Sequence, residues 1–529
     1  MARQIQAAVN LWSILTKLRG KMDTNEYKNY IMPFMFYTVA VKKVERLMKE
    51  ELENDGISYE EAWDAQDADG NYEYRDDLID LQLSNFGFVI EPQYMDKAFV
   101  ERAWGVNPKE FFADVFQKAI DAFNEHCNSA FDGVLNVVNC WNDALGETDE
   151  QIDSRLKELF VLSYKATLAV LKLDVNNIDA KDMLGDMYEQ LMGYFAASAG
   201  KKGGEFYTPS EVSELVAKLA TYEVDYAKNI SDPTCGSGSL LIKAAKEIKK
   251  NNGRFGTLYG QELNAVTSRL ARMNMVIHDI SASDFKIDCV DTLDINDNSA
   301  GKFFDVTVAN PPYALNWDNG EYRYKDDRFS GYGALAPKSN ADLAFLQHIV
   351  YHMSDTGHAA VLLPLGVLFR GNAEQTIRKA LVDTYNVIDA VIALPSNMFY
   401  GASIPVCCLV LRKDRGENNN ICFIDASNEF VKDGKKNKLT DENISKIFEA
   451  YVNRVDVDHF CNIVDREIIA ANDYNLNLPL YVQAEKIQEN HDLEDLFKEF
   501  AELEQQEKLL KQSINLQLKA FGFEQQFNA

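Results

Sequence analysis

Short apolar runs alternate with segments of helical periodicity through the middle of the chain. Apolar runs at residues 257–261 and 303–309, and strand-like segments at 230–233 and 285–290, are each followed by small or polar residues. Further apolar runs occupy residues 359–363, 387–394 and 405–411. Such runs, bounded by turns, are typical of buried strands. Strands that alternate with helices predict an open parallel α/β sheet.

The two ends of the chain follow a different pattern. Residues 1–165 are expected to form a mainly helical domain in which residues 59–74, acidic and rich in aromatics, are a loop. Residues 166–415 hold the alternating pattern and form the second domain. Residues 416–480 are expected to be a polar connector region, and residues 481–529 a C-terminal helix.

Apolar residues in the last segment recur at spacings of three and four or their sums, interrupted by Glu507 and Gln517. They are Leu493, Leu496, Phe500, Leu503, Leu510, Ile514 and Phe521. An apolar seam on so polar a helix favours a coiled-coil-like contact with a partner chain. The alternative is that the helix folds back on its own chain.

The strand at 303–309 ends on Asn310, Pro311, Pro312 and Tyr313. Two prolines cannot extend a sheet ladder, so the chain turns out of the sheet at the carboxyl end of the strand, where open α/β sheets bind ligands. The Asn310 side-chain oxygen and the Pro311 carbonyl offer two acceptors to one planar amine. Tyr313 could stack on the ring that carries this amine. An ordinary strand-ending turn is the alternative.

A strand, a glycine turn and a helix follow one another from residue 230 onwards. Gly236 and Gly238 let the backbone approach a ligand closely, and the amides that begin a helix favour polar or anionic groups such as a carboxylate. No Gly-Lys-Ser/Thr follows and the full dinucleotide fingerprint is missing, so a phosphate loop is excluded. A tight strand-to-helix turn without a ligand remains the alternative.

Two acidic residues follow the next two strands. Glu262 stands where ribose hydroxyls are bound in doubly wound folds, which suggests an adenosyl ligand; otherwise it is a carboxylate at a helix N-terminus. Asp291 is expected to contact the adenine end of this adenosyl ligand, or the base that carries the planar amine. The alternative is that it forms an Asx turn.

Three motifs together resemble the γ class of adenine-N6 DNA methyltransferases. They are Gly-Glu-Phe-Tyr-Thr-Pro-Ser at 204–210, Asp-Pro-Thr-Cys-Gly-Ser-Gly-Ser at 232–239 and Asn-Pro-Pro-Tyr at 310–313, in the order of that class. Segments 363–371 and 394–405 closely resemble the modification subunit of type I restriction-modification systems. The resemblance covers most of the chain. It implies a Rossmann-like S-adenosylmethionine-dependent methyltransferase domain with a helical N-terminal domain and a C-terminal helical tail.

The resemblance also implies which residues form the site. Asn310 and Pro311 would hold the adenine amine, with Pro312 and Tyr313 completing the catalytic turn. S-adenosylmethionine would be bound by Glu205, Phe206, Tyr207, Thr208, Pro209, Ser210, Asp232, Thr234, Gly236, Ser237, Gly238, Ser239, Glu262 and Asp291. From the residues alone, Thr208 and Pro209 predict only a helix start.

The implied activity is methylation of adenine N6 in DNA together with a specificity subunit. The implied partners are duplex DNA, that subunit, a second modification subunit and a restriction nuclease or translocase subunit. The N-terminal domain would close over DNA. A methyltransferase of a protein glutamine or an RNA amine is an alternative, as is a non-catalytic acidic assembly protein.

Composition refines this picture mainly through charge. The chain has 54 Lys and Arg against 82 Asp and Glu, a formal net charge of −28. Because affinity for duplex DNA comes largely from basic side chains, a partner is expected to carry much of the DNA grip. Of the local basic clusters, Arg323, Lys325 and Arg328 are the better candidates for DNA contact.

The remaining composition fits a large enzyme of several domains. The 529 residues contain no apolar stretch near the roughly 20 residues of a membrane span and no leader pattern, so a cytoplasmic protein is expected. The eight cysteines show no zinc-binding spacing. His348 and His352 lack the Glu of a zinc protease helix, so they are expected to be structural, and no metal site is predicted.

Overall fold

The structure, a computed structural model, describes residues 24–95, 99, 110–171, 178–198, 207–399, 404–434, 436–483 and 493–520. The chain divides into two units, Met1–Gln483 and Ala484–Ala529. None of the helices in these ranges is long and apolar enough to cross a membrane.

A single large sheet organises the first unit. Its strands are β1 Tyr226–Asp232, β2 Arg254–Gln261, β3 Phe285–Asp288, β4 Phe304–Ala309, β5 Met353–Pro364, β6 Ile388–Ala393, β7 Val406–Arg412, β8 Ile421–Asp425 and β11 Cys461–Val464, in the order β11-β8-β6-β7-β5-β4-β1-β2-β3. A separate hairpin pairs β9 Val431–Asp433 with β10 Lys436–Lys438. The predicted α/β class is confirmed.

The direction of one central strand differs from the expectation of a parallel sheet. Strand β7 runs antiparallel to both of its neighbours, β5 and β6, and β11 is antiparallel to β8; the other pairings are parallel. An apolar run indicates burial on both faces but carries no information on direction. The parallel prediction was therefore wrong at β7, although its residues were recognised as a strand.

Helices cover both faces of the sheet. Those of the first unit are α1 Thr24–Leu52, α2 Tyr59–Asp64, α3 Arg75–Phe86, α4 Phe112–Glu125, α5 Asp149–Leu171, α6 Ile178–Ser198, α7 Ser210–Ala220, α8 Ser239–Lys250, α9 Ala265–Ile277, α10 Asp327–Ser330, α11 Asp342–His352, α12 Ala373–Lys379, α13 Asp441–Asn453 and α14 Arg466–Ala471. Successive side chains of β5 alternate between two cores: Ala360 and Leu362 belong to one, Val361 and Leu363 to the other.

The N-terminal region is helical, as predicted, but its acidic stretch is not entirely a loop. Tyr59–Asp64 forms helix α2. Its capping box explains the difference: the Ser58 hydroxyl accepts from the Glu61 backbone N–H, and the Glu61 carboxylate accepts from the Ser58 N–H. The loop prediction relied on the acidic and aromatic composition of this stretch and missed the Ser58 N-cap.

The sheet extends beyond the predicted boundary at residue 415. Strands β8 and β11 belong to residues 416–480, which were expected to be a connector, and they form one end of the sheet. Helix α5 likewise runs through the predicted boundary at residue 165.

The described part of the second unit is one helix, α15 Leu493–Ala520. Four residues of the predicted seam are exposed on it, namely Phe500, Leu503, Leu510 and Ile514. The last seam residue, Phe521, lies outside the described residues.

Candidate active site

A narrow cleft opens where the carboxyl ends of β1 and β4 meet, at the edge predicted for a ligand. It is lined by Tyr207, Thr208, Asp232, Thr234, Cys235, Gly236, Ser237, Ser239, Leu240 and Asn310. Residues from all three sequence motifs therefore share one cleft. Glu205 and Phe206 lie outside the described residues.

The glycine turn adopts a conformation that other residues would resist. Gly236 and Gly238 have φ angles of +52° and +79°, and a Cβ on Gly238 would lie 2.6 Å from Cε of Met275. The turn is fixed by hydrogen bonds from the Gly238 N–H to the Cys235 carbonyl, at 2.7 Å, and from the Cys235 N–H to the Gln261 carbonyl, at 2.8 Å. Helix α8 begins at Ser239, which leaves its first amides available to a ligand.

Asp232 is a buried carboxyl with one unused oxygen. Its Oδ1 accepts from the Thr234 backbone N–H at 2.9 Å, whereas its Oδ2 has no hydrogen-bond partner among the described residues. Burial, with a contribution from the negative charge of Glu262, raises the pKa of Asp232 to about 8. Because buried polar atoms are nearly always paired, Oδ2 marks a position for a hydrogen-bond donor of a ligand.

Glu262 follows directly after β2 and is bonded to the glycine turn. Its Oε2 accepts from the Gly236 N–H at 3.1 Å and its Oε1 from the Asn264 N–H at 2.7 Å. Burial raises the pKa of this carboxyl. Glu262 thus ties the glycine turn to the next strand, and its role in binding ribose stays a prediction.

Asp291 is exposed and is not among the residues that line the cleft. Its Oδ1 accepts from the Leu293 backbone N–H at 2.9 Å. This is the Asx turn that the sequence left open as an alternative.

Hydrogen bonds connect the turn after β4 to residues 207–209, here called the Tyr-Thr-Pro element. The Asn310 side-chain N–H donates to Oγ1 of Thr208 at 3.0 Å, and the Tyr313 hydroxyl donates to Oδ1 of Asn310 at 2.7 Å. The Tyr313 ring lies edge-on to Phe399, with centroids 6.4 Å apart. Burial of the hydroxyl raises the pKa of Tyr313 far above its usual range, so it remains a donor. The predicted amine acceptor is therefore occupied by Tyr313.

A buried aspartate that the sequence analysis missed supports this turn. Oδ1 of Asp342 accepts from the backbone N–H of Ala314 at 3.0 Å, and Oδ2 lies 3.4 Å from Arg370. Ala314 has a φ of +51°, which is costly for a residue with a Cβ. Arg370 also pairs with Glu374 at 3.2 Å. Arg370 belongs to segment 363–371, whose family resemblance was recognised. Asp342 was missed because it lies 28 residues after Ala314 and belongs to no short motif.

The basic cluster proposed for DNA contact is largely buried. Arg328 pairs with Asp326 at 2.7 Å and donates to the Thr292 carbonyl at 3.0 Å. Arg323 is also buried and lies 3.5 Å from Asp326. The expectation was wrong for these two residues because nearby carboxylates and carbonyls bind their guanidinium groups.

Asp297, His348 and His352 lie close enough together to form a metal site in principle. However, Asp297 is 2.7 Å from Nε2 of His352, and the Arg328 guanidinium lies 3.4 Å from Nδ1 of His348. A cation at this position would meet a fixed positive charge. The contacts agree with the expectation of structural histidines.

The chain matches two protein-family models and several known methylase subunits. The N-6 DNA Methylase model matches residues 179–490, and the HsdM N-terminal domain model matches residues 8–162. The type I restriction enzyme MpnII methylase subunit of Mycoplasma pneumoniae is 36% identical over 524 residues, or 95% of this chain and 94% of that protein.

Two further similarities agree with these matches. The type I restriction enzyme MjaVIII methylase subunit of Methanocaldococcus jannaschii is 40% identical over 345 residues, 61% of this chain and 57% of that protein. The crystal structure of a type I restriction-modification system methyltransferase subunit from Streptococcus thermophilus is 35% identical, with a TM-score of 0.80, covering 91% of this chain and all of that one. The chain therefore belongs to the N-6 DNA methylase family and is a DNA methyltransferase of the type I restriction-modification kind.

Proposed function

We propose that this modification subunit transfers the methyl group of S-adenosylmethionine to N6 of an adenine flipped out of duplex DNA, using Asn310 and Pro311 as the amine acceptors. The observation that carries the proposal is the shared cleft. Asn310, Thr208 and the buried carboxyl of Asp232 all line it, so a donor and an acceptor molecule could meet there. The matched family and the methylase-subunit relatives support adenine in DNA as the substrate.

The lining of the cleft offers the donors and acceptors that the methionine part of S-adenosylmethionine would need. The unpaired Oδ2 of Asp232 suits an ammonium group, while the first amides of α8 suit a carboxylate. Glu262 would accept from ribose hydroxyls, and Tyr207, Thr208, Pro209 and Ser210 would cover the methionine part. When bound, this cofactor supplies a methyl group on a positively charged sulfur, an electrophile that needs no covalent nucleophile on the protein.

The chain's own contribution is to hold the amine in line with that methyl group. The Asn310 oxygen and the Pro311 carbonyl each accept one N–H of the adenine amine, which directs its lone pair and increases its electron density. Tyr313 already bonds Oδ1 of Asn310, and the second lone pair of this amide oxygen would accept from the amine. The Tyr313 ring would stack on the flipped base, and the surplus proton leaves to water.

The partners are proposed from the surface of α15 and from the relatives. The exposed side chains of Phe500, Leu503 and Leu510 form a seam suited to helices of a specificity subunit. A second modification subunit and a restriction nuclease or translocase subunit would complete the assembly. Leu503→Glu with Leu510→Glu should release the specificity subunit in co-purification, whereas Glu502→Gln with Glu504→Gln should not.

The domain roles follow the same proposal. Residues 1–165 form the helical domain that closes over DNA, residues 166–415 carry catalysis, residues 416–480 connect to the tail, and residues 481–529 bind the partner. The two strands that residues 416–480 add to the sheet make this connector a rigid support.

A direct test is to incubate the purified complex with labelled S-adenosylmethionine and with DNA, RNA or protein. We expect label only in DNA, recovered as N6-methyladenine. Label in RNA or in a glutamine amide would assign the cleft to the alternative substrates. Calorimetry that shows no binding of S-adenosylmethionine would instead favour an acidic assembly protein.

A further inference from the structure

The β9–β10 hairpin is a basic projection on an acidic protein. Residues 432–438 contain four lysines and one acid, Asp433, in a chain of net charge −28. The turn between the strands contains Gly434 with a φ of +58°. Lys432 and Lys438 are exposed, and neither forms an ion pair with a carboxylate in the part of the chain that the structure describes.

Hydrogen bonds fix this hairpin to the loop that follows β6. The buried Asn437 donates its backbone N–H to the Asn397 carbonyl at 3.2 Å and its side-chain N–H to the Ser396 carbonyl at 2.7 Å. Lys432 in turn donates to Oδ1 of Asn437 at 2.8 Å. The same loop carries Phe399, which contacts the Tyr313 ring.

The hairpin therefore lies at the catalytic edge of the sheet. Strand β6 runs in the same direction as β4 because β5 is parallel to β4, while β7 is antiparallel to both β5 and β6. The loop after β6 and the turn after β4 consequently leave the sheet at the same edge.

A cavity of about 520 Å³ separates the hairpin from the Tyr-Thr-Pro element. Lys436 and Lys438 line one side, and Tyr207 and Pro209 the other. Tyr207 also lines the cofactor cleft. Glu211 and Asp433 line the same cavity as Lys436 and Lys438, whereas Lys432 is not among its lining residues.

We propose that Lys432 and Lys438 bind the phosphate backbone of DNA beside the flipped adenine. This inference rests on the proposed function. Lysine ammonium groups bind phosphates as point charges without reading sequence, which suits a subunit whose target is selected elsewhere. Duplex DNA is favoured over an acidic protein because the loop that holds the hairpin also contacts the catalytic tyrosine, and because Arg323 and Arg328 are buried.

The test compares Lys432→Gln with Lys438→Gln against a matched control, Lys249→Gln with Lys250→Gln. The control removes two exposed lysines at the end of α8, which leads back to the opposite edge of the sheet. Binding of target duplex DNA by the complex with its specificity subunit is measured over a range of salt concentrations. Each lost phosphate contact should reduce the slope of log affinity against log salt by about 0.9.

We expect the hairpin variant to lose about one to two units of slope and to raise KM for DNA about tenfold, with kcat and cofactor affinity unchanged. The control should match the wild type. An unchanged slope and KM would overturn the inference, as would loss of the specificity subunit from the variant complex. Failure of the wild-type complex to methylate DNA would instead overturn the proposed function itself.

Discussion

The two halves of the cleft differ in how their polar groups are satisfied. On the cofactor side, the Gly236 N–H donates to Glu262, while one oxygen of buried Asp232 has no partner among the described residues. On the acceptor side, Asn310 is bonded at both ends, to Thr208 and to Tyr313. One half presents a buried oxygen that accepts no bond, and the other presents an oxygen that already accepts one and has a second lone pair.

Because of this difference, binding of the cofactor and binding of the adenine amine have different energetic requirements. Cofactor binding pairs a carboxyl oxygen that is costly to leave buried and alone, so it is favoured in the existing geometry. Binding of the amine would add a second bond to an oxygen that is already paired, so its net gain is smaller. Stacking and contacts to DNA must then supply the remaining affinity.

The largest expected effect is that of Asn310→Ala on the acceptor half. Loss of the amide oxygen should lower kcat by about a thousandfold, as for removal of one key polar group from a preorganised site. Calorimetry should show S-adenosylmethionine binding within about threefold of the wild type. Substantial N6-methyladenine formation by this variant in its complex would contradict the division between the two halves.

Asp342→Ala tests whether the acceptor half depends on its support. Without the acceptor for the Ala314 N–H, the strained turn should relax, and a displacement near 1 Å would reduce kcat by about a hundredfold. Asp342→Asn keeps one acceptor oxygen and should recover most of the activity. Equal losses in the two variants, with lowered thermal stability in both, would indicate a general folding defect instead.

Asp232→Asn tests the cofactor half. The amide should weaken S-adenosylmethionine binding about thirtyfold at pH 8, because its oxygen accepts from Thr234 and its NH2 group cannot accept from an ammonium group. The variant should not unfold more easily at this pH. The Asp232 pKa is about 8 in the native state and about 4 in the unfolded chain, so this carboxyl lowers stability as pH rises between these two values, and the amide removes the penalty.

The pKa of about 8 adds a pH dependence to the same residue. To accept from an ammonium group, Asp232 must lose its proton, so cofactor affinity should rise from pH 6 to pH 8 by at most about tenfold per unit and then level off. Calorimetry at several pH values measures this directly. The Asn variant should remove this contribution, and an identical pH profile in both proteins would exclude Asp232 as its source.

The smallest expected effect is that of Tyr313→Phe. It removes the hydroxyl that occupies Oδ1 of Asn310 but keeps the stacking ring, so kcat should change by less than about threefold and KM for DNA should fall slightly. Tyr313→Ala removes the ring and should cost about ten- to hundredfold in KM. A large loss in the Phe variant would mean that the hydroxyl itself contributes to catalysis.

Several residues predicted to bind the cofactor share one cleft because they are close together in the sequence. Asp232, the glycine turn and Ser239 are nearly contiguous, and a strand, tight turn and helix are sufficient to bring them into one cleft. The acceptor half was predicted only in part. Asn310 was recognised from its neighbours, but the contacts from Thr208, Asp342 and Phe399 depend on the sheet order, which no short segment contains.

The same limit explains the errors in the fold. The reversed direction of β7 and the extension of the sheet by β8 and β11 are properties of pairing between distant segments. The sequence around Arg323 and Arg328 is typical of an exposed basic cluster. In the folded chain, both side chains are buried next to Asp326. The local sequence pattern therefore predicts helices, strands and turns. Which strands pair, and in which direction, depends on segments far apart in the sequence.

The bond between Asn310 and Thr208 has a consequence for the choice of base. A carboxamide is nearly symmetrical in shape, and its two ends differ only in whether they donate or accept. While its nitrogen is held by Thr208, its oxygen faces the opposite way. A base edge with an amino group is then matched, whereas the keto oxygen of guanine or thymine would meet an oxygen. Under the proposed function, this orientation of Asn310 favours a base edge with an amine, which adenine and cytosine share, over a keto edge.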